Sequence, residues 1–402
     1  MADDPYRAPG PAPAWGRVGI AARPLPPLEP LTTSTRADVC VVGLGASGLT
    51  AALHLAERGA EVVAIDAYGI AAGAAGRNGG FLLAGLARFH HDAVAAYGRA
   101  RAVGLYRWTL DELDRTLADL PDDVARRVGS LRIAADDAEF ADVDRMLAQL
   151  QADGLPAEPY VGPEGTGALV PSDAVMDPHA RCAVLAERAL AAGARLHAPT
   201  RVTDVATDGV RVTANGVRDD ADVGRGDTDG RGDARRLRIA ADRVVVAVDG
   251  GLEVLLPELA GRVETVRLQM LATAPEQGVT LPRPVYRRWG SDYVQQLSSG
   301  EVLLGGFRDR GRAEQGAPPV PSDDVQACLD AELRRLGVRA PVTHRWAARA
   351  AFTTDRLPVC DEVRPGVFAV GGYSGHGNLI GTACARLAAD AALDGGRPEL
   401  PV

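Results

Sequence analysis

Residues 37–42, ADVCVV, followed at once by residues 43–48, GLGASG, form the stretch that decides the fold. The apolar run predicts a short buried strand, and the glycines behind it fit the pattern G-x-G-x-x-G. Residues 49–58 are predicted to form a helix that ends at Gly59, and residues 61–66, EVVAID, a second strand. A strand–helix–strand unit of this length is the building block of a doubly wound parallel sheet.

The glycines of this pattern predict a dinucleotide-binding turn. Gly43 allows the tight turn, Gly45 lets the backbone approach a pyrophosphate, and Gly48 lets the helix pack against the strand. The first turn of the helix offers free N–H groups to the phosphates. Asp66 ends the second strand, where its carboxylate is expected to accept hydrogen bonds from the ribose hydroxyl groups.

Two later glycine-rich stretches favour FAD over NAD as the dinucleotide. Residues 73–80, GAAGRNGG, allow a loop to pass close to a flat ligand, and Arg77 and Asn78 add hydrogen-bond donors. Residues 371–377, GGYSGHG, precede a predicted helix over residues 379–393, whose N-terminus would stabilise the negative charge of a reduced flavin. A long FAD requires the C-terminal segment to return to the cofactor, whereas NAD does not. A yellow protein would exclude the alternative, an NAD-dependent dehydrogenase.

The predicted fold class is α/β, with a Rossmann-like FAD-binding domain and an inserted α+β substrate domain built on an antiparallel sheet. Short β-type stretches follow one another between residues 263 and 305, and one helix is predicted over residues 322–336. Residues 218–236, rich in Asp, Gly and Arg, predict a solvated loop between two arms of a hairpin. The predicted ranges are residues 1–30 for an extended N-terminal arm, residues 31–90, 171–262 and 346–402 for the FAD-binding domain, and residues 91–170 and 263–345 for the substrate domain.

Composition and charge exclude several classes of function. The net charge of −9 argues against nucleic acid or an anionic membrane surface as a partner. All 44 basic residues are arginine, which excludes a lysine-bound pyridoxal phosphate. No metal site is predicted, and the adjacent His90 and His91 are expected at the surface. The cysteines lack metal-ligand spacing and predict reduced thiols in the cytoplasm; they are Cys40, Cys182, Cys328, Cys360 and Cys384.

From about residue 23 to the end, the chain resembles the glycine oxidase, D-amino-acid oxidase and sarcosine oxidase family of flavoproteins. The resemblance is strongest to the γ-glutamylputrescine oxidoreductase branch. It rests on AGRNGG at residues 75–80, on LLPELAGRVETVRLQML at residues 255–271, on TDRLP at residues 354–358 and above all on GYSGHGN at residues 372–378.

The resemblance implies a flavin held between the two domains. No cysteine matches the covalent attachment site of the sarcosine oxidases, so the FAD is expected to be non-covalent. The lysine that promotes oxygen reduction in those relatives is absent, and Arg77 or His376 is expected to supply a positive charge instead. The expected contacts with FAD come from Gly43, Gly45, Ala46, Ser47, Gly48, Asp66, Ala67, Gly76, Arg77, Asn78, Gly79, Gly80, Val202, Gly372, Gly375, His376, Gly377 and Asn378.

The substrate is expected to be a small amine or amino acid. The arginine that clamps the substrate carboxylate in amino-acid oxidases is replaced by Ala350, with Arg349 one place earlier, which favours an amine or an ω-amino compound. The predicted catalytic residues are His376, Arg77 and Tyr373. The predicted substrate-binding residues are Trp346, Arg349, Tyr286 and Tyr293; helix capping, core packing or an ordinary salt bridge remain alternative roles for several of these side chains.

The expected reaction transfers a hydride from the carbon next to the amine nitrogen to the flavin. Water then hydrolyses the imine to a carbonyl compound and ammonia or an amine, and oxygen is expected to be reduced to hydrogen peroxide. Two alternatives stay open: a flavin dehydrogenase with a different electron acceptor, and a flavin-binding subunit without catalysis of its own. The sequence leaves the substrate and the oligomeric state undetermined.

Overall fold

A computed structural model describes residue 15 and residues 23–213, 236–311 and 316–401. Most of the predicted arm and nearly all of the predicted loop at residues 218–236 lie outside the described residues. Within them the elements follow in this order: β1 (Thr35–Val42), α1 (Ala46–Glu57), β2 (Val62–Ile65), β3 (Phe81–Leu82), α2 (His90–Tyr97), α3 (Arg99–Asp119), β4 (Ala125–Arg127), β5 (Ser130–Ile133), α4 (Asp137–Ala152), β6 (Glu158–Gly162), β7 (Gly165–Val170), β8 (Ala174–Met176), α5 (Pro178–Ala191), β9 (Arg195–His197), β10 (Arg201–Ala206), β11 (Gly209–Thr213), β12 (Arg236–Val246), α6 (Leu252–Leu255), β13 (Val263–Pro275), β14 (Val285–Arg287), β15 (Asp292–Gln296), β16 (Glu301–Gly306), α7 (Asp323–Arg335), β17 (Val342–Thr353), β18 (Val359–Arg364), β19 (Val367–Gly371) and α8 (Gly377–Asp394).

The first sheet contains the predicted strand–helix–strand unit at its centre. Strands β19, β12, β1, β2 and β9 are parallel neighbours, β18 lies antiparallel beside β19, and the hairpin β10–β11 pairs with the first half of β12. Helices α1, α5 and α8 cover one face with a core that includes Leu49, Leu185 and Ile380. Because β12 ends between two parallel neighbours, its last residues are buried on both faces, which explains the unbroken apolar run there.

The second sheet has the order β17–β13–β16–β15–β14–β5–β7–β6. Its pairs are antiparallel except β5–β14, which is parallel. Helix α7 covers one face, with Leu329 and Leu333 packed against Val302 and Leu304. A small antiparallel sheet, β3–β8–β4, lies between the two. The α/β fold class with an antiparallel second sheet is confirmed.

Two details differ from the sequence-based expectation. Strand β17 pairs with β13 from Val342 to Thr353, so residues 346–353 lie in the second sheet although the predicted FAD-binding segment begins at 346. Strands β4 and β5 interrupt residues 91–150, although the helical spacing of Leu105, Leu110 and Leu113 predicts a largely helical stretch there. Both strands pair with partners distant in the chain, and local pattern carries no signal for such pairing. Within the described ranges, no helix combines the length and the apolar character that a bilayer crossing requires.

Candidate cofactor and substrate cavities

Two adjoining cavities lie where the first sheet meets the second. The sheet-edge cavity, about 260 Å³, opens at the carboxyl ends of the parallel strands, where ligands bind in open α/β sheets. The aromatic cavity, about 640 Å³, lies beside it against the second sheet. The two share one wall, formed by Ala74, Arg77, Asn78, Leu268, Ala348, Ala350, Gly375 and Asn378.

The glycines between β1 and α1 are required by close backbone contacts. Gly43 has φ of +110°, and a Cβ there would lie 2.6 Å from the carbonyl oxygen of Ala247. A Cβ on Gly48 would lie 1.9 Å from the carbonyl oxygen of Gly43. At Gly45 the nearest atom would be the Cβ of Ala75 at 3.2 Å, and this residue lines the sheet-edge cavity. The turn therefore packs the helix on the strand and leaves its open side to a ligand.

Two helices direct uncapped N-termini at the sheet-edge cavity. Helix α1 follows Gly45 and α8 follows His376; neither N-cap residue makes a side-chain cap bond, and neither first turn carries an acidic residue. Gly45 and Gly377 both line the cavity. Free N–H groups and the positive end of each helix dipole favour a bound anion. The cavity thus fits a ligand with negative charge at two separated points, as a dinucleotide with a reducible flavin has.

Asp66 organises the turn that borders the cavity. Its carboxylate accepts hydrogen bonds from the backbone N–H groups of Leu44, Tyr68 and Gly69, at 3.0, 2.8 and 3.0 Å. Burial raises the pKa of Asp66, and these donors oppose the rise. The residue lines the cavity, so the predicted contact with a ribose would add to the backbone contacts.

The loop after residue 73 is held from three directions. Successive carbonyl groups of residues 77–79 accept hydrogen bonds from Trp346 Nε1 at 2.8 Å, from Trp15 Nε1 at 2.8 Å and from Gln295 Nε2. Trp15 and Trp346 also share one hydrophobic cluster. The side chain of Asn378 donates to Asn78 Oδ1 at 3.1 Å, which ties the loop to α8. This loop therefore presents Arg77 to both cavities in a defined position.

The aromatic cavity is lined by stacked rings. Tyr286 and Tyr293 lie 5.9 Å apart at an interplanar angle of 26°, and Phe81 packs against both. His376 meets Tyr286 edge-on at 6.2 Å. Burial raises the pKa of Tyr286 to about 12, so its hydroxyl stays protonated at neutral pH. The cavity offers flat apolar surfaces for an alkyl chain, with the imidazole of His376 beside them.

His376 is neutral in this environment. Burial, followed by the charges of Arg132 and Arg356, lowers its pKa to about 4. Its Nδ1 has no hydrogen-bond partner among the described residues. In the protein without cofactor the imidazole is therefore uncharged at neutral pH, which argues against the expected positive charge at His376.

Replacing His376 with glutamine is expected to flatten the pH dependence of stability in mild acid. The folded-state pKa of about 4 lies below the unfolded value of 6.5, so the unfolded chain binds more protons between these values. The wild-type protein should therefore lose stability as the pH falls from 6.5 towards 4, and the variant should lose less. Urea unfolding of the FAD-free protein at several pH values measures this. His344→Gln, which lines neither cavity, is the control; equal slopes for wild type and His376→Gln would refute the prediction.

Most predicted cofactor-binding residues line the sheet-edge cavity. They are Gly43, Gly45, Ala46, Ser47, Asp66, Ala67, Arg77, Asn78, Val202, Gly375, Gly377 and Asn378. Gly79 and His376 line only the aromatic cavity. Gly48, Gly76, Gly80 and Gly372 line neither cavity, and a Cβ at each would meet protein atoms at 1.9–2.7 Å. The close packing at these four glycines shapes the loops around the cavities.

The predicted substrate-binding and catalytic residues divide in the same way. Tyr286 and Tyr293 line the aromatic cavity as expected. Trp346 is fully buried and lines neither cavity, because its ring packs under the loop to which it donates. Arg349 lines only the sheet-edge cavity and donates to the Ala317 carbonyl at 3.2 Å. Side chains alternate along β17, so Arg349 points away from the face that carries Ala350, which argues against its predicted role.

Tyr373 also lies away from the substrate side. Its hydroxyl donates to Ser47 Oγ at 3.0 Å, and its ring packs against Gly377 and Gly381 of α8. It lines only the sheet-edge cavity. The residue therefore connects the N-terminal turns of α1 and α8, and its catalytic role stays a prediction.

Several cavity residues escaped the sequence analysis. Asp249, Gly250 and Gly251 line the sheet-edge cavity just after β12, and their position after a buried parallel strand is a signal that would have found them. Burial raises the pKa of Asp249 to about 6, although backbone N–H groups that donate hydrogen bonds to its carboxylate oppose this rise. The aromatic cavity adds Phe81, Arg132, Arg308, Phe352 and Arg356, none of which was a predicted site residue. Arg356 lies in the TDRLP motif, and this motif is a signal that would have found it.

The expectation that His90 and His91 lie at the surface is wrong for His90, whereas His91 is partly exposed. His90 is buried, with Nε2 2.7 Å from a carboxylate oxygen of Asp153. His91 lies against Asp142 at 3.0 Å, and with Asp92 these side chains bring three potential metal ligands together. The Asp142 carboxylate already accepts hydrogen bonds from Trp289 and Arg145, at 2.6 and 2.5 Å. The absence of a metal site stays a prediction.

All five cysteines are described, and none lines either cavity. Four of them are buried in the core, and Cys328 lies on α7. Burial raises the pKa of Cys40 and of Cys182 to about 12, so both stay as thiols. This placement argues against covalent attachment of the cofactor through a cysteine.

The sequence of the chain matches a known protein family and two known proteins. Residues 38–391 match the family of FAD dependent oxidoreductases. The chain is 28% identical to the probable oxidoreductase OrdL of Rhizobium meliloti (strain 1021), over 94% of this chain and 88% of that protein. It is 27% identical to the gamma-glutamylputrescine oxidoreductase of Escherichia coli (strain K12), over 90% of this chain and 85% of that protein.

Solved structures show the same fold. Glycine oxidase from Geobacillus kaustophilus superposes with a TM-score of 0.70 at 21% identity, covering 89% of this chain and 94% of that chain. L-proline dehydrogenase from P. horikoshii superposes with a TM-score of 0.69 at 18% identity, covering 92% of this chain and 96% of that chain.

Proposed function

Because the chain belongs to the family of FAD-dependent oxidoreductases, we propose that it oxidises the carbon–nitrogen bond of a small amine or amino acid, with oxygen as the electron acceptor and hydrogen peroxide as a product. One observation carries the proposal. Two uncapped helix N-termini open on the sheet-edge cavity, and this cavity shares a wall with a separate aromatic cavity. A cofactor in the first and a substrate in the second would meet at that wall.

The cofactor supplies one piece of chemistry: bound FAD accepts a hydride from the carbon next to the nitrogen. The residues of the chain prepare the substrate for it. The amine must be neutral when it reacts, and the imidazole of His376, which lines the aromatic cavity, is the proposed acceptor of its proton. Leu268, Ala348 and Ala350 give the shared wall an apolar surface that disfavours water. Tyr286 and Tyr293 would hold the alkyl part of the substrate.

The name of one relative supports an amine substrate. The Escherichia coli protein is named a gamma-glutamylputrescine oxidoreductase, and its name states a substrate that contains amine nitrogen. Ala350 occupies the place expected for the carboxylate-binding arginine of amino-acid oxidases, and this residue lines the shared wall. Because position 350 of the wall carries no cation, the substrate is favoured to be an amine, or an amino compound whose carboxylate lies elsewhere.

An absorption spectrum followed by anaerobic addition of amines and amino acids tests the proposal. We expect a flavin band at about 450 nm that bleaches with an amine and returns when air is admitted. A band that bleaches and stays bleached in air would replace oxygen by another acceptor. A band that no amine bleaches would favour the flavin-binding subunit without catalysis.

Arg77→Met is expected to slow the reaction with oxygen about 10- to 100-fold, while leaving the anaerobic bleaching by substrate within about threefold. The chain has no lysine, and Arg77 is the cation that lines both cavities. Its guanidinium is buried and donates to the carbonyls of Ala72 and Ala347 at 2.8 and 3.2 Å. A fixed charge there would stabilise the negative charge that develops on oxygen. Stopped-flow mixing of the reduced protein with oxygen measures the effect; Arg77→Lys should recover part of the rate, and an unchanged rate in Arg77→Met would count against the role.

A further inference from the structure

The aromatic cavity is positively charged in a protein whose net charge is −9. Of the residues that the structure describes, two aspartates line it, Asp92 and Asp309, and Asp309 is paired with Arg288 and Arg310 outside the cavity. The lining arginines outnumber them and are Arg77, Arg88, Arg132, Arg308 and Arg356. This excess of cations would repel an ammonium group and attract an anion.

Arg132 is balanced within the fold. Its guanidinium lies 3.5 Å from the buried carboxylate of Asp173, donates to Ser130 Oγ at 2.8 Å, and stacks on Tyr286 at 4.9 Å. Arg132 therefore stabilises the cavity wall and keeps its charge paired.

Arg308 and Arg356 converge on one ring. Their guanidinium carbons lie 4.3 and 5.2 Å from the centre of the Phe352 ring. Among the described residues, no carboxylate forms an ion pair with Arg356. Burial lowers the pKa of Arg356, and the positive charges of Arg308 and Arg88 lower it further. Two guanidinium groups over one ring are stabilised when an anion binds between them.

The backbone is strained at Arg356 and at the residue that precedes Arg308. Arg356 has φ of +64°, and Phe307, which precedes Arg308, has φ of +58°. Non-glycine residues adopt this conformation at a cost of about 1–3 kcal/mol each. Such strain persists where the surrounding structure imposes it, and it is frequent at ligand sites.

The position of this pair along β17 separates it from the reacting end of the cavity. Ala348, Ala350 and Phe352 share one face of the strand, and all three line the aromatic cavity. Ala350 belongs to the shared wall, whereas Phe352 lies two residues further, about 7 Å along the strand. A carboxylate beside Phe352 is therefore several bonds away from a nitrogen at the shared wall.

We propose that the substrate is an amine that carries a carboxylate at the end remote from the oxidised carbon, and that Arg308 and Arg356 bind this carboxylate. The inference rests on the proposed oxidation of an amine at the shared wall. The carboxylate offsets the cations that would otherwise exclude the amine, and its distance from the wall selects ω-amino compounds over α-amino acids. A diamine of equal length lacks the anion and is disfavoured.

The test compares three series of equal chain length in the FAD-loaded protein: ω-amino acids from 4-aminobutyrate to 6-aminohexanoate, the corresponding alkylamines, and the corresponding diamines. Anaerobic bleaching of the flavin band at low substrate concentration gives the second-order rate constant of flavin reduction for each compound. We expect the best ω-amino acid to exceed its alkylamine about 10- to 100-fold, which is the range for a carboxylate bound by guanidinium groups. The diamine should be the poorest of the three.

Variants assign the preference to the two arginines. Arg356→Gln and Arg308→Gln should each lower the ratio of ω-amino acid to alkylamine about tenfold. Arg310→Gln is the matched control, because Arg310 is exposed, pairs with Asp309 and lines neither cavity; it should keep the wild-type ratio. A binding readout without turnover is the perturbation of the flavin spectrum by hexanoate, which should weaken in Arg356→Gln and not in Arg310→Gln.

The outcomes separate the two proposals. If alkylamines bleach the flavin as well as ω-amino acids do, or if the preference survives in the double variant of Arg308 and Arg356, the carboxylate site is refuted and amine oxidation stands. If no compound of any series bleaches the flavin but hexanoate binds in an arginine-dependent way, amine oxidation is refuted and the anion site stands.

Discussion

The Gly48→Val protein is expected to be isolated without its yellow cofactor, with FAD affinity reduced about 100-fold or more. A Cβ at this position would lie 1.9 Å from the carbonyl oxygen of Gly43, so the first turn of α1 has to move away from β1. The N–H groups of that turn line the sheet-edge cavity through Gly45, Ala46 and Ser47. Their displacement removes an anion site that depends on their direction, and about 3 kcal/mol of lost binding corresponds to the stated factor.

Titration of the FAD-free protein with FAD, followed by quenching of flavin fluorescence, measures the affinity. Gly59→Asn is the matched control at the other end of α1: its φ is +87°, no atom lies within 4 Å of an added Cβ, and asparagine tolerates this conformation. It should bind FAD normally. Circular dichroism separates lost binding from lost folding. A folded Gly48→Val protein with wild-type affinity would overturn the role assigned to the turn.

Trp346→Ala is expected to destabilise the protein by about 3–5 kcal/mol, the range for removing a large buried aromatic side chain. Trp346 is fully buried in a cluster with Trp15, Met270 and Leu303. Its Nε1 also donates to the Arg77 carbonyl at 2.8 Å, and the truncation leaves that buried carbonyl without this donor. Because domains are stable by about 5–15 kcal/mol, this single change removes a large fraction of the total.

Conservative variants distinguish packing from the hydrogen bond. Trp346→Phe keeps most of the buried ring and removes the N–H donor, so a smaller loss of about 1–3 kcal/mol is expected, together with weaker FAD binding because the loop loses one of its three supports. Trp15→Phe removes the neighbouring donor in the same way. Trp289→Phe, at a residue that is 50% exposed, should change stability least. Chemical denaturation measures all four variants, and a Trp346→Ala protein as stable as Trp289→Phe would contradict the assignment.

Local pattern was sufficient for the dinucleotide half of the molecule. The apolar run before Gly43, the glycine spacing and the C-terminal glycine-rich turn are each confined to a few neighbouring residues. They predicted FAD, the parallel core of the first sheet and helix α8. The reason is that a tight turn, a helix start and a buried parallel strand each impose their own residue types on neighbouring positions. The proposed division into domains, by contrast, stays a prediction.

Tertiary structure alone decided which side chains face the substrate. Arg349 and Phe352 both lie on β17, but the pairing of this strand with β13 sets which face of the pleat meets the aromatic cavity. Arg308 and Arg356 come from different segments and meet only at the Phe352 ring. The cofactor site is built from short local patterns, which can be read directly from the sequence, and so the sequence predicted the cofactor. The cavity that selects the substrate is assembled from distant segments, and the direction of each side chain there follows from strand pairing that no local pattern encodes.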